Sequence, residues 1–311
     1  MNHGPDDKTM SSTDESQRMQ CMEVWGGNVR VGRHFQMPGL DVWISCQPEG
    51  QAHAGGDVYY LSSCASGRIT RILLADVSGH GELVAGTAVG LRDLMRKNVN
   101  VISQRRFVAA MNQQFSAASA AGRFATAVVS SFFAPTRSLS LCNAGHPNPL
   151  LFRAERRVWT ILDLAKPPRD SANEMSDLPL GIVDQVGYRE LNIRLDKGDR
   201  VLCYSDAFSE ACGTDGRLLG VEGVLQTVAS MREAGEHEFL SSLVDAIRAL
   251  HPDNLSQDDA TLVLFSANGT RSLLRDDLLA PFRLLRKVTD ASRIETRCSM
   301  TRSSSHGSAA D

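Results

Sequence analysis

Four aspartates stand where apolar runs of this chain begin or end. Asp76 closes "RITRILLADV" and is followed at once by the turn-forming "SGHG", while Asp57 opens "DVYYLSSC" after "AGG". Asp206 closes "RVLCYSD", and Asp258 opens "DDATLVLF" with Asp259 directly behind it. In an antiparallel pair the start of one strand lies beside the end of the other. Asp57 is therefore expected to meet Asp76, and Asp206 to meet Asp258, each pair at a sheet edge. Carboxylates gathered without Lys, Arg or His repel one another, and an unpaired buried carboxylate is costly. A hard divalent cation, Mg²⁺ or Mn²⁺, takes oxygen ligands and resolves that cost. No histidine or cysteine cluster is spaced to select zinc. Gly55, Gly56, Gly79 and Gly81 flank the first pair and allow backbone to approach closely.

The elements that must hold these acids are legible as β-rich runs. Residues 40–47, 57–64, 68–77, 124–133, 138–145, 200–206 and 258–265 are dense in β-branched and aromatic side chains. Apolar residues at three- and four-residue spacing predict helices over 82–98, 103–120, 221–233 and 236–250. Two helices follow the first strands and two precede the last, which is not a strict β-α alternation. That order predicts an α/β (α+β) sandwich, sheets packed together with helices outside, rather than a doubly wound parallel sheet. Residues 1–20 and 289–311 are polar and expected to be disordered, with 21–267 as the domain and 268–288 as a C-terminal helical segment.

Composition narrows the function classes. The 311 residues are 42% hydrophobic with a formal net charge of −3, which gives no electrostatic case for nucleic acid. No run approaches the roughly 20 apolar residues of a membrane span, and the polar start lacks the layout of a signal peptide. Seven cysteines include no CxxC pair, and Cys46, Cys142 and Cys203 sit inside apolar runs. They read as reduced core residues, and a cytoplasmic location is expected.

The segments "AGGDVYYL", "LLADVSGHG", "FATAVVSSFF", "NAGHPNPLLF", "LPLGI", "GDRVLCYSDAFSEA" and "SQDDATLVLF" follow one another in a telling order. Over about residues 36–267 the chain resembles the bacterial stage-II-sporulation-E/RsbU branch of the metal-dependent protein phosphatase (PP2C-like) family. The resemblance implies an α-β-β-α sandwich of two antiparallel sheets flanked by helices, with two Mn²⁺ or Mg²⁺ ions in a cleft at one sheet edge. It assigns Asp57, Asp76, Asp206 and Asp258 as metal ligands and catalytic residues, Asp76 bridging both ions, and the carbonyl of Val77 as a further ligand. Asp259 is assigned either to a further ion or to fixing the turn. The implied reaction is attack of a metal-bridging water or hydroxide on phosphoserine or phosphothreonine. Two departures stand out: "SDAFSE" puts Ala207 where the branch has a glycine, and Tyr60 stands where many relatives have an acid. The stretch "GQAHAGGD" before Asp57 also lacks the arginine by which eukaryotic members bind phosphate.

The expected function is a protein serine/threonine phosphatase in a bacterial partner-switching pathway. Its expected partner is a phosphorylated protein, an anti-sigma-factor antagonist by resemblance. A non-catalytic module of the same fold and a hydrolase of small phosphate esters are the alternatives. His80 and His146 read as turn residues rather than acids or bases, and His53 as an exposed loop residue. The leucine- and arginine-rich stretch 271–288 reads as a helix packed on the domain.

Overall fold

A computed structural model describes residues 17–19, 23–50, 52–64, 67–79, 82–118, 122–163, 177–231, 235–270 and 289–290. Among them the chain runs through β1 (Gln17–Arg18), β2 (Glu23–Val29), β3 (Val31–Met37), β4 (Leu40–Gln47), β5 (Ala54–Cys64) and β6 (Ile69–Val77). Then come α1 (Glu82–Lys97), α2 (Gln104–Ala118), β7 (Ala125–Phe133), β8 (Ser138–Ala144), β9 (Leu150–Arg153), β10 (Val158–Ile161) and β11 (Leu191–Arg194). The last elements are β12 (Arg200–Tyr204), α3 (Asp206–Ser209), α4 (Gly220–Ser230), α5 (Glu236–Leu250), β13 (Ala260–Ser266) and β14 (Thr289–Asp290).

The described strands form two seven-stranded sheets, one ordered β1-β3-β4-β13-β12-β9-β10 and the other β11-β8-β7-β6-β5-β2-β14. Both are antiparallel except for the parallel edge strands β1 and β14. These two edge strands fall at 17–18 and 289–290, inside segments expected to be disordered. The stretch 271–288 expected to be helical lies outside the described residues.

Alternation along each strand sorts side chains between layers. Tyr59, Leu61, Ile72 and Leu74 of one sheet meet Ile44, Cys46, Val263 and Phe265 of the other in the central core. The opposite faces are covered by helices. Val84, Ala88, Leu91 and Met95 of α1, at spacings of four, three and four, pack with Phe107, Met111 and Phe115 of α2 over Val58, Tyr60, Leu73 and Ala75. Val224, Phe239, Leu243 and Ile247 of α4 and α5 cover Leu202, Tyr204, Leu262 and Leu264. The result is a four-layer α-β-β-α sandwich. Its parity puts Asp57 and Asp76 on the inner face of their sheet, in step with Tyr59 and Leu74.

The "LPLGI" segment is tied down by a single buried amide. Asn112 of α2 donates to the carbonyls of Val183 (2.8 Å) and Asp184 (3.2 Å) and accepts from the Gly181 N–H (2.8 Å). Leu180 next to it bridges to Ala125 at the start of β7. Asn112→Ala strands these buried backbone groups, so urea unfolding should show a loss of about 2–3 kcal/mol. A loss below about 0.5 kcal/mol, the scale of a neutral surface change, would contradict this tie.

Candidate metal centre

The register of the β5–β6 ladder answers the first sequence expectation directly: Asp57 pairs with Asp76 across the strands. On the other sheet, β12 and β13 pair with Tyr204 opposite Leu262, and the Ser205 N–H donates to the Thr261 carbonyl (3.0 Å). The chain ends that carry Asp206 and Asp258 leave the sheet together at this point. Because the two sheets face each other, both acid pairs share one edge of the sandwich.

Each carboxyl shows its neighbours in its proton affinity. Asp57, 1% exposed, is raised well above the ordinary carboxylate range by burial first and then by Asp76 and Asp259. The Thr261 and Ser205 hydroxyls partly oppose that rise. Among the described residues its Oδ2 nevertheless has no hydrogen bond of proper geometry. Asp76 is pushed up to about 7 by burial, then by Asp206, Asp258, Asp259 and Glu210. Asp206 is raised by burial and by Glu210, and Asp258 by burial, with Asp206, Asp259 and Glu49 adding to it. No cation is among the strongest influences on Asp57, Asp76, Asp206 or Asp258. Five aspartates from two sheets thus lie within electrostatic reach of one another.

Asp259 has a different task from its neighbours. Its carboxylate accepts the N–H groups of Glu49 (2.7 Å), Gly56 and Asp57 (3.2 Å), bracing the start of β5 from the opposite sheet. Gly55 lies against this carboxylate so closely that a Cβ there would collide with it. At Gly56 a Cβ would meet the Val77 carbonyl oxygen at 3.0 Å, Val84 Cγ1 at 3.1 Å and Asp76 Oδ1 at 3.3 Å. The two glycines of "AGGD" therefore let the start of β5 approach the Asp259 carboxylate, the Val77 carbonyl and Asp76 closely. Asn28 secures this strand start by donating to the carbonyls of Gly55 (2.8 Å) and Ala85 (3.2 Å).

Asp206 opens the one-turn α3, where the Ala207 N–H stabilises its charged form. Ala207 sits in regular helical backbone with its methyl in the core beneath α4 and α5, so the exchange for glycine is absorbed by packing. Among the described residues no three acids, histidines or cysteines close tightly enough around one point to make a ready ligand set. The donors nonetheless suit a hard cation: all are oxygens, one buried carboxylate oxygen lacks a partner, and the group is uncompensated. Asp57, Asp76, Asp206, Asp258 and the Val77 carbonyl are the residues that could hold it.

His146 is not among the strongest influences on these acids, though Thr126, its hydrogen-bond partner, stands opposite Asp76. His146 is buried, and its backbone is closed into a turn by Asn143, which accepts its N–H and donates to its carbonyl, both at 2.8 Å. Its Nδ1 lies 2.8 Å from the Thr126 hydroxyl, and burial lowers its pKa to about 4, so it is neutral near pH 7. His53 is exposed at the rim. His80 lies outside the described residues. Sequence reasoning missed Glu49, Glu210 and Asn28. Glu210 carried a signal, four residues after Asp206 in "SDAFSE"; Asn28 and Glu49 carried none.

Comparison with known proteins follows this geometry. The family model described as stage II sporulation protein E (SpoIIE) matches residues 66–268, a span that holds Asp76, Asp206, Asp258 and Asp259 and begins after Asp57. No curated protein matches the chain in sequence. The RsbU and RsbW domains of a Mycobacterium tuberculosis protein are similar in structure (TM-score 0.59, 23% identity), over 78% of this chain and 63% of that one. RsbX in complex with magnesium is similar at TM-score 0.54 and 13% identity, over 76% of this chain and 99% of that one. The PP2C phosphatase domain and regulatory fragment of SpoIIE from Bacillus subtilis gives 0.58 and 14%, over 80% of this chain and 64% of that one. The chain thus spans under two thirds of the first and third of these. At such identities they establish the PP2C-like fold.

The raised carboxyls have a consequence for stability without divalent cations. Between about pH 4 and 7 the folded state holds a proton on Asp76 that the unfolded chain has released, so stability falls as pH rises through that window. Asp57 acts with the same sign. In chelator, the melting temperature should fall from pH 4.5 to 7.5, the fall should flatten in Asp76→Asn, and Mn²⁺ should reverse it. A melting temperature that rises over this range would contradict the crowding of these acids.

Proposed function

The chain belongs to the stage II sporulation protein E family, and we propose that it is a metal-dependent protein serine/threonine phosphatase. The observation that carries this reading is the meeting of Asp57 and Asp76 from one sheet with Asp206 and Asp258 from the other, without a cation among their strongest influences. In this reading those four aspartates and the Val77 carbonyl would hold two Mn²⁺ or Mg²⁺ ions. When bound, the ions supply an activated water and neutralise charge on the phosphoryl oxygens.

The chain's own residues do the positioning. Asp57 and Asp76 sit on paired strands with apolar packing on both faces, so their carboxylates have little freedom. Asp259 spends its acceptors on three backbone N–H groups, which supports a brace in preference to a ligand for a further ion. Asp258 is enclosed enough for burial to raise its pKa yet keeps surface in solvent, and in this reading a phosphorylated segment of another protein enters on that side. His146 is neutral and enclosed, which supports its reading as a turn residue. The proposed substrate is a phosphoserine on a small anti-sigma-factor antagonist, acted on in the cytoplasm. The kinship with RsbU- and SpoIIE-type proteins supports that choice.

The purified protein should release phosphate from such a phosphoprotein in Mn²⁺ and lose that activity in EDTA. Asp76→Ala should lower the rate at least about 100-fold, the scale of damage to a metal site, and His53→Ala should leave it unchanged. Full activity in EDTA would contradict the two-metal reading. Faster turnover of a small aryl phosphate than of any phosphoprotein would point to an esterase acting on small molecules.

A further inference from the structure

A second buried polar group lies on the far face of the sheet that carries Asp57. Five residues along β5 from Asp57, roughly 17 Å at about 3.3 Å per residue, Ser62 stands directly opposite Arg71 of β6. Arg71 in turn stands opposite Ser131 of β7. Tyr60, Ser62 and Arg71 share the face covered by α1 and α2, and they are 0%, 2% and 3% exposed.

The Arg71 guanidinium is committed on one side only. One terminal nitrogen donates to Ser131 Oγ at 3.1 Å, and the other to the carbonyl of Val101 in the α1–α2 connection. Its Cζ lies 4.5 Å from the centroid of the Phe107 ring. The Ser131 hydroxyl passes its own proton to Gln104 Oε1 at 2.6 Å. None of these partners is anionic. Burial lowers the pKa of Arg71 from its ordinary value, with Cys64 and Tyr60 opposing, and no carboxylate is among its influences. Three fully buried polar atoms in this group have no hydrogen bond of proper geometry among the described residues: Arg71 Nε, the Tyr60 hydroxyl and Ser62 Oγ. The Ser62 hydroxyl lies close enough to the Tyr60 hydroxyl to act on it as a hydrogen-bond partner, though without the geometry of a full bond, and the Arg71 charge is felt at Tyr60.

A buried cation without a counter-charge, its own idle Nε and the two hydroxyls beside it are costly separately and complementary together. We propose that Arg71, Tyr60 and Ser62 form a binding site for a small inorganic monoanion of the chloride class. One guanidinium sets the charge of the occupant at minus one. The three atoms can all act as donors, as a halide requires. Leu73 and Phe107 are both fully buried in the adjoining core, and such close packing favours a small ion over a polyatomic or organic anion. Because Arg71 also holds the Val101 carbonyl and the Phe107 ring, filling the site secures the seat of the α1–α2 hairpin on the sheet. This site is distinct from the acid cluster, which would repel such an occupant.

The test replaces gluconate by bromide at constant ionic strength while unfolding of the full chain is followed. The wild type should gain about 2–4 °C in melting temperature, saturably, as a ligand specific to the folded state does. Arg71→Met should lose the saturable gain, and Ser62→Ala and Tyr60→Phe should each raise the half-saturating bromide concentration several-fold. Crystals grown in bromide should show one anomalous peak within contact of Arg71 Nε. Absence of a saturable gain in the wild type, an equal gain in Ser62→Ala and Tyr60→Phe, or an ordered water at Nε without anomalous signal would overturn the proposal. If Arg71→Met does not fold, the two hydroxyl variants and the diffraction peak decide.

Discussion

Asp57 and Asp76 face each other across two neighbouring strands, a placement in which like charges push the strands apart. The rest of the structure can be read as what holds that pair in register. The ladder runs unbroken from Asp57 opposite Asp76 to Cys64 opposite Ile69, so the strands cannot separate at the acids alone. Their inner faces are locked into the core between the sheets and their outer faces lie under α1 and α2. A slip of one residue would turn the apolar set outward along with the acids. Register, and with it the acid pair, is fixed by burial on both sides.

The second sheet contributes by closing over this edge. Asp259 reaches across to the backbone of Gly56 and Asp57, so the strand end bearing one acid is fixed by another acid's carboxylate. Asp206 and Asp258 arrive with it because β12 and β13 are neighbours in the sheet. The free energy that keeps five acids close comes from hydrophobic burial in the three core clusters of the sandwich. That division of labour leaves the acids raised in pKa and open to neutralisation by a cation. Neutralisation would remove the repulsion that the packing otherwise offsets.

Much of this was legible in the sequence because two periodicities and one end rule carry it. The runs at 40–47, 68–77 and 200–206 announce strands by their β-branched and aromatic content, and an acid at a strand end predicts its partner in an antiparallel pair. The helices α1, α2, α4 and α5 followed from apolar spacing. The strands β2 and β3 did not, because "EVWGGNVRVGRHFQM" interrupts its apolar residues with glycines and charges. The strands β9, β10 and β11 have only four residues each, too few for a pattern to stand out in the sequence. At the site, Asp259 could be read as ligand or brace until its three N–H partners were seen. Glu49 reaches the acids only through the fold, from a loop that no local pattern marks. Arg71 was hidden for a related reason: nothing within "RITRILLADV" marks it as buried, and only the helices packed over it make it so.

The most direct test of the account is the anomalous diffraction of crystals of this protein grown with Mn²⁺. Two manganese peaks in the cleft, contacted by Asp57, Asp76, Asp206 and Asp258 and with Asp76 common to both, are expected. Asp259 should keep its bonds to the backbone of Gly56 and Asp57. An empty cleft at saturating Mn²⁺, or manganese bound only at acids elsewhere on the surface, would contradict it.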